Sequence, residues 1–413
     1  MSSSPTPLTF REVFKIPALR RLWAAQLVSV CGDFLAIYAI FAVVSFRMHA
    51  SANAVSLVLV FYLLPLAIVS PVAGVFVDSW NVKRTMIASD LCRAALFLLL
   101  LFAHQLWQIY AILLAASTVS SFFLPAQTIT LRAIVPLTGL TSANAAIQQA
   151  FYMMQIVSPA ISGLLVSAFG PNSCFIIDSA TFVFSAGIIS TLTIGHQPAP
   201  ALKTVRSVAT EIGSGVRFIF THPAISFVIT AMSAGMFAIR CFGALLAVYV
   251  RDVLRGSTSL FGILGSLIGV GMIVGTPLVR RITRAHSNSH VVAAGLAAVG
   301  LCIAVICVWG TIPAAIIGIL MLGFCIAFVV VPAQVLIQQH TPRNMLGRVT
   351  GSLVSLIVGS QVIGMLLAGA VATGVGIRNV YYGSTALLLL LAAMSFYWLS
   401  RDKGQPAPLP QPE

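Results

Sequence analysis

Long apolar stretches alternate with short polar clusters along most of the chain. Twelve of these stretches approach or exceed the roughly 20 residues that an α-helix needs to cross the hydrocarbon core of a bilayer. They predict an all-α membrane protein whose transmembrane helices, spans 1 to 12, cover residues 21–46, 54–78, 85–103, 107–132, 143–169, 172–195, 224–250, 258–280, 290–310, 312–340, 345–374 and 378–400.

The longest polar segment lies between Gly195 and Pro223 and separates six spans from six. Its second part carries apolar residues at a helical period, which predicts a helix that lies along the membrane surface. The predicted organisation is a cytoplasmic N-terminal segment (1–20), a first six-helix bundle (21–195), a linker with the interfacial helix (196–223), a second six-helix bundle (224–400) and a disordered tail (401–413).

The two halves contain a diverged internal repeat. The tripeptide Pro-Ala-Gln occurs at residues 125–127 in span 4 and at 332–334 in span 10, an offset of 332 − 125 = 207 residues. A second similarity, between the segments that begin at Gly74 and Gly275, has an offset of 201 residues, so short insertions separate the copies. Parallel six-helix repeats are a recurrent transporter architecture, with the substrate site at mid-membrane between them.

The distribution of charge predicts the topology. Hydrophobic residues make up 59% of the chain and charged residues 8%, yet the formal net charge is +14. Of 23 Lys and Arg residues, two fall inside spans and four lie on one side of the membrane (Arg47, Arg251, Arg255 and Arg378), which leaves 17 on the side of both termini. The positive-inside rule places both termini in the cytoplasm, and a bacterial inner membrane is the expected location. The charge is therefore a topology signal, and nucleic acid is not an expected partner.

The cysteines and known catalytic motifs give no indication of an enzyme. All seven cysteines lie within apolar spans and none has CxxC spacing, so they are expected to pack as small hydrophobic side chains. The chain has no P-loop, HExxH motif or nucleophile elbow. We predict neither a cofactor nor a metal site, and a membrane enzyme or receptor is the least favoured functional class.

The loop between spans 2 and 3 carries a family resemblance. Its sequence, GVFVDSWNVKR, resembles the signature loop of the major facilitator superfamily, in which a glycine is followed four residues later by an aspartate and then by a basic cluster. The matching residues are Gly74, Asp78, Lys83 and Arg84. The resemblance implies a fold of two six-helix bundles and a gating role for this loop. We expect Asp78 to dock on the N-terminus of span 11, after Asn344, in the outward-open state.

Other segments extend the resemblance over nearly the whole chain. In span 5, QIVSPAISGLL is similar to the exporter motif of the superfamily, with Pro159 and Gly163 kept and with Ser158 and Ser162 where glycines are usual. The segments SVCGDF, AIVP, SANA and TPRNMLGRV resemble the branch of macrolide-efflux and enterobactin-exporter proteins. This resemblance implies export of a small molecule. The first part of span 4 departs from the pattern, since it lacks the intramembrane arginine of many proton-coupled drug exporters.

Ionisable residues at bilayer depth are candidates for function because their insertion costs at least about 2.5 kcal/mol. Asp33 lies near the middle of span 1, with Gln26 and Ser29 on the same helical face, and Arg240 lies near the middle of span 7. We predict that Asp33 and Arg240 pair across a central cavity and separate when a substrate or a coupling cation binds. The alternative is a permanent ion pair that only fixes helix packing.

The remaining acidic residues have two predicted roles. Asp90 and Arg93 are interpreted as an i, i+3 gate latch near the cytoplasmic end of span 3. Asp178 in span 6 is either a second proton site or an acid at the wet end of its helix.

Neutral polar and aromatic residues indicate the substrate class. Gln148 and Tyr152 lie in QQAFYMMQ of span 5, and Gln127 and Gln334 end the two Pro-Ala-Gln copies. Amides beside aromatic rings and methionines suit varied amphipathic ligands.

Together these features predict a secondary active transporter that exports hydrophobic or amphipathic small molecules by alternating access, coupled to exchange of protons or monovalent cations across the lipid bilayer. The main alternative is a lysophospholipid translocator on the same fold. The resemblance to that group implies a lysine at position 127, and the glutamine found there argues against this alternative.

Overall fold

The computed structural model describes residues 8–194, 210, 213, 221, 223–340 and 346–401, and these are nearly all helical. Twelve helices are long and apolar enough to cross a membrane. They are α1 (Pro17–Ala42), α2 (Ala52–Val77), α3 (Val82–Leu99), α4 (Leu106–Ile134), α5 (Leu140–Phe169), α6 (Pro171–Ser190), α7 (Pro223–Asp252), α8 (Thr258–Ile282), α9 (Asn288–Trp309), α10 (Ile312–His340), α11 (Leu346–Val375) and α12 (Ile377–Arg401). This confirms the predicted twelve-helix fold.

Parts of the prediction fall on residues that are not described. Residues 1–7 of the N-terminal segment, residues 195–209, 211–212, 214–220 and 222 in and beside the predicted linker, and the tail from residue 402 lie outside the described residues. With twelve spans, the start of α1 and the end of α12 lie on the same side of the bundle, which we call the terminal face; the opposite side is the far face.

Capping residues set where several helices begin. The side chain of Ser51 accepts a hydrogen bond from the Ala54 amide at the start of α2, and Asn81 accepts one from the Arg84 amide at the start of α3. Each cap satisfies an N–H group that has no partner within its helix. The Asn81 cap places Lys83 and Arg84 inside the first turn of α3, so this helix begins three residues before the predicted boundary at 85.

Two glycines form equivalent far-face turns in the two halves. Gly170 joins α5 to α6 with a φ of +80°, and Gly376 joins α11 to α12 with a φ of +86°. Only glycine adopts these angles without strain, which allows a helix to end and the next to begin within one residue. Their offset, 376 − 170 = 206, is close to that of the Pro-Ala-Gln copies.

Helix packing repeats between the halves. In the first half α1 packs on α5 and α6, α4 packs on α2 and α3, and α3 packs on α6; in the second half α7 packs on α11 and α12, α10 packs on α8 and α9, and α9 packs on α12. The halves meet through two equivalent pairs, α2 with α11 and α5 with α8. The fold is thus two copies of one six-helix arrangement.

The contact between α5 and α8 is made largely by backbone. A Cβ added at Gly262 would lie 2.3 Å from the Pro159 carbonyl oxygen and 2.9 Å from the Gly163 Cα. The Ala160 amide donates to Ser266 Oγ at 2.9 Å, and the Ser259 hydroxyl donates to the Gly163 carbonyl at 3.4 Å. Small residues permit this close approach, as is typical of membrane helix interfaces.

An arginine clamp joins the halves at the far face. Arg251, at the end of α7, donates from Nη1 to the carbonyl oxygens of Ser45 and Ala50, at 2.5 and 3.0 Å. Ser45 lies in the π-helical turn Val43–Arg47 that follows α1, and carbonyls in a last turn lack intrahelical donors. Four hydrogen bonds between the halves lie in the far half of the bundle, so this structure has its far face closed.

We predict that replacing glycine with alanine lowers the melting temperature at Gly262 but not at Gly383. Gly262→Ala should lower the melting temperature of the purified protein in detergent, because its methyl group meets backbone atoms and overpacking costs about 1–3 kcal/mol. Gly383→Ala should leave the melting temperature unchanged or raise it, because a Cβ at that position has no neighbour within 4 Å. Equal stability of the two variants would contradict the α5–α8 packing.

We also predict that Arg251→Gln shifts the protein toward a conformation with an open far face. Spin labels at positions 47 and 379, on a cysteine-free background, should report a larger population of long distances by double electron–electron resonance. The control is Arg255→Gln, which removes an exposed arginine of the same face. An unchanged distance distribution in Arg251→Gln would show that the clamp does not hold the far face closed.

Candidate functional site

Arg93 is the centre of a buried charge cluster in the first half. It is the twelfth of 18 residues of α3, and its guanidinium donates a hydrogen bond to Asp90 one turn earlier on the same helix. The guanidinium lies over the rings of Phe123 and Phe182, with 4.8 and 4.1 Å from its central carbon to the ring centroids. Cations interact favourably with aromatic faces, most strongly where water is excluded.

Asp33 of α1 joins this cluster. Its Oδ2 lies 3.8 Å from Arg93 Nη1, and its side chain is 20% exposed, compared with 6% for Arg93 and 0% for Asp90. Asp33 is therefore the most accessible member of the cluster, and the other two lie behind it.

Asp178 of α6 packs against α1 beside the cluster. A Cβ added at Gly32 would lie 2.4 Å from Asp178 Oδ1, so glycine next to Asp33 makes room for this carboxyl group. Asp178 is fully buried and accepts a 3.5 Å hydrogen bond from the Thr181 hydroxyl, while its Oδ2 has no hydrogen-bond partner among the described residues. It also lies close enough to Asp33 and Arg93 to interact with both electrostatically.

The cluster contains more acid than base. Asp33 and Asp90 pair with one guanidinium, and the buried carboxyl group of Asp178 lies beside them without an ion pair among the described residues. Tyr62 of α2, which is within electrostatic range, adds a neutral hydroxyl group. Like charges that share a site of low dielectric disfavour simultaneous ionisation. The three carboxyl groups therefore cannot all be ionised together, which is the chemistry that uptake and release of a proton requires.

Two amide side chains form a neutral pair between α1 and α4. Gln127 Nε2 donates to Gln26 Oε1 at 2.7 Å, and Gln127 is 8% exposed. The structure thus brings together two of the predicted site residues. Ser29 is on the same helix but is buried, with 2% exposure. Gln334, the counterpart of Gln127 in the second half, is exposed.

The predicted ion pair of Asp33 with Arg240 is wrong for this conformation. Arg240 donates from Nε to Gln361 Oε1 of α11 at 2.8 Å, and Asp33 pairs with Arg93. The physical reason is helix packing, since α1 packs on α5 and α6 while α7 packs on α11 and α12. Tyr38 of α1 lies near Arg240.

The prediction of a gate latch at Asp90 and Arg93 is also wrong as to place. Because α3 begins at Val82, these residues lie in the middle of the helix, buried within the first half, and not near its end. They belong to the same cluster as Asp33.

The signature loop has contacts within its own half. Lys83 Nζ donates to the Leu192 carbonyl at 2.8 Å, just beyond the C-terminus of α6, where a cation is favoured by the helix dipole. Gly74 has open space where a Cβ would lie, and Arg84 contributes its backbone amide to the Asn81 cap. The segment that is predicted to bind Asp78 begins at Asn344, and Asn344 lies outside the described residues. The docking of Asp78 therefore stays a prediction.

The other predicted residues lie in α5. Pro159 and Gly163 form the close contact with α8 described above. Gln148 and Tyr152 are exposed in the half of α5 nearer the terminal face. Tyr152 contacts Phe151, whose ring lies 5.4 Å from that of Phe34 on α1.

Sequence reasoning missed three members of the site. Gln361 is the only glutamine in the predicted span 11, and an isolated amide in an apolar helix was the available signal. Phe123 and Phe182 had no distinguishing signal, because phenylalanine is frequent throughout the chain.

We predict that Arg93→Met strongly destabilises the protein. Removing one partner from a buried ion pair costs about 3–5 kcal/mol, and here the substitution leaves Asp33 and Asp90 without their guanidinium. Thermal unfolding in detergent should show a large fall in melting temperature, partly restored in the double variant Arg93→Met/Asp90→Asn. Arg240→Met is the control and should have a smaller effect. A double variant less stable than Arg93→Met alone would contradict the coupling.

Comparison with known proteins agrees with the fold and the repeat. The sequence pattern described as Major Facilitator Superfamily matches residues 22–358 and 236–413. The chain is 27% identical to the uncharacterized MFS-type transporter YfiS of Bacillus subtilis (strain 168), over 91% of this chain and 92% of that protein. It is 24% identical to the multidrug efflux pump Tap of Mycolicibacterium fortuitum (92% and 95% covered) and to macrolide efflux protein A of Streptococcus pyogenes (90% and 93% covered).

A solved structure supports the same conclusion about the fold. The peptide transporter POT superposes with a TM-score of 0.77 over 97% of each chain, at 12% sequence identity. The sequence pattern spans both six-helix halves, and the structural likeness extends over the same residues. The chain is a member of the major facilitator superfamily.

Proposed function

We propose that the protein is a secondary active transporter that exports amphipathic small molecules in exchange for protons. The observation that carries the proposal is the buried cluster of Asp33, Asp90, Asp178 and Arg93, in which carboxyl groups outnumber the guanidinium. The names of two relatives, a multidrug efflux pump and a macrolide efflux protein, support export of organic compounds.

Asp33 is the proposed site of proton exchange. It is the most exposed carboxyl of the cluster, and Arg93 at 3.8 Å stabilises its ionised form. When Asp33 takes up a proton, Arg93 keeps its second partner, Asp90, so the cluster changes its charge without leaving the guanidinium unpaired. Asp178 lies behind Asp33 and limits how many of these groups can be ionised together.

The substrate-binding surface is proposed to lie between the halves at mid-membrane. The Gln26–Gln127 pair of the first half and the Arg240–Gln361 pair of the second supply hydrogen-bonding groups. The rings of Phe34 and exposed Phe151, with centroids 5.4 Å apart, supply an apolar wall. Ligand sites combine such apolar walls with a few placed polar groups.

Alternating access is proposed to occur by rocking of the halves about the α5–α8 and α2–α11 contacts. The positive-inside rule assigns the terminal face to the cytoplasm, so the present structure corresponds to the state closed to the outside. In the opposite state the Arg251 clamp opens, and Asp78 is proposed to dock at the start of α11.

The test is transport by the purified protein in liposomes. A macrolide, a cationic dye and a lysophospholipid are each measured in two assays: counterflow, which needs binding and alternation only, and uptake driven by an imposed pH gradient. Wild type should transport one or both drugs in both assays. Movement of lysophospholipid alone would favour the lipid translocator over the exporter.

We predict that Asp33→Asn abolishes pH-driven accumulation and retains counterflow, because the variant binds and alternates but cannot exchange a proton at that position. The control is Glu12→Gln at the terminal face. The Thr9 backbone amide donates a hydrogen bond to Glu12 and lowers the pKa of this exposed carboxyl group. Glu12 lies outside the membrane-spanning helices, so its loss should change neither assay. Gradient-driven accumulation by Asp33→Asn equal to that of wild type would refute proton coupling through Asp33.

A further inference from the structure

A groove separates the start of α1 from the end of α6 at the terminal face. Its volume is about 690 Å³, and it is lined by residues of these two helices only, among those described. From Pro17 and Thr191 at its outer end to Ala24 and Phe184 at its inner end, the groove reaches about 10 Å along the helices, at roughly 1.5 Å per residue. It therefore extends from the membrane surface into the depth of the bilayer.

The outer end of the groove is basic. Arg20 and Arg21 are adjacent and exposed, and no described carboxylate lies within 4 Å of either. Arg21 Nη1 donates to the Thr191 carbonyl at 3.2 Å, which fixes its guanidinium across the groove and leaves other N–H groups available.

The inner end of the groove is apolar. Phe184 is 54% exposed, and its ring with Ala24 and Ile188 forms the wall. A molecule that matches both ends carries an anionic group at the membrane surface and a hydrocarbon chain directed toward the bilayer centre. A soluble anion would leave this wall without a partner.

We propose that this groove binds an anionic phospholipid, with its phosphate on Arg20 and Arg21 and an acyl chain along Phe184 and Ile188. Guanidinium groups bind phosphate by paired hydrogen bonds. The site lies outside the charge cluster, so it does not depend on the proposed transport function.

The experiment is native mass spectrometry of the full-length protein in detergent, titrated with dioleoyl phosphatidylglycerol, dioleoyl phosphatidylcholine and glycerol 3-phosphate. Wild type should bind the first phosphatidylglycerol more tightly than phosphatidylcholine, and should bind glycerol 3-phosphate weakly. Each arginine is expected to contribute about fivefold in affinity for an anionic lipid. The double variant Arg20→Gln/Arg21→Gln should therefore lose about 25-fold in phosphatidylglycerol affinity.

The matched control is Arg280→Gln/Arg281→Gln. It removes two adjacent exposed arginines in the last turn of α8, at the terminal face. This control should retain the phosphatidylglycerol affinity of wild type.

Equal losses in both double variants would overturn the proposal, because they would show attraction to surface charge in general. Glycerol 3-phosphate binding as tight as that of the lipid would also overturn it, since the acyl chain would then have no part. Melting curves that match wild type exclude unfolding as the cause of a loss.

Discussion

The ion pairs of Arg93 determine the organisation of the first half. The guanidinium lies between rings from α4 and α6 and binds carboxylates from α1 and α3, so four of six helices meet at one side chain. A charge at this depth is stable only while its partners remain in place. The helices around Arg93 therefore have little freedom to separate, and a change in the charge of the cluster is accommodated more easily by movement between the halves than within one.

The two halves share their packing and differ in their chemistry. Equivalent helix pairs are in contact in both, and Gly170 and Gly376 form equivalent turns. Yet the three-carboxyl cluster belongs to the first half, while the second half presents Arg240 bound to a neutral amide. The Pro-Ala-Gln copies diverge in the same way, because Gln127 is buried against Gln26 and Gln334 is exposed. Duplication accounts for the backbone, and later substitution accounts for the site.

The lengths of the apolar stretches and the polar clusters between them predicted the twelve helices, since these features act locally. The membership of the site was also partly predictable: Asp33, Asp90, Arg93 and Asp178 were each recognised as ionisable residues in or near a span. Their partners were not, because hydropathy gives the depth of a residue along a helix and not the direction in which it faces a neighbour. An error of three residues at the start of α3 was enough to place Asp90 and Arg93 near a membrane surface. The Arg240 contact with Gln361 depends on packing between helices more than a hundred residues apart in sequence.

The far-face clamp has a consequence for how this chain tolerates mutation. Arg251 binds carbonyl oxygens of Ser45 and Ala50, and every residue type supplies the same acceptor. Side-chain substitutions at these two positions leave the acceptors present. The contact depends instead on backbone register, since inserting or deleting one residue in the π-helical turn would rotate the acceptors away. The length of the connection between α1 and α2 is therefore more constrained than its composition.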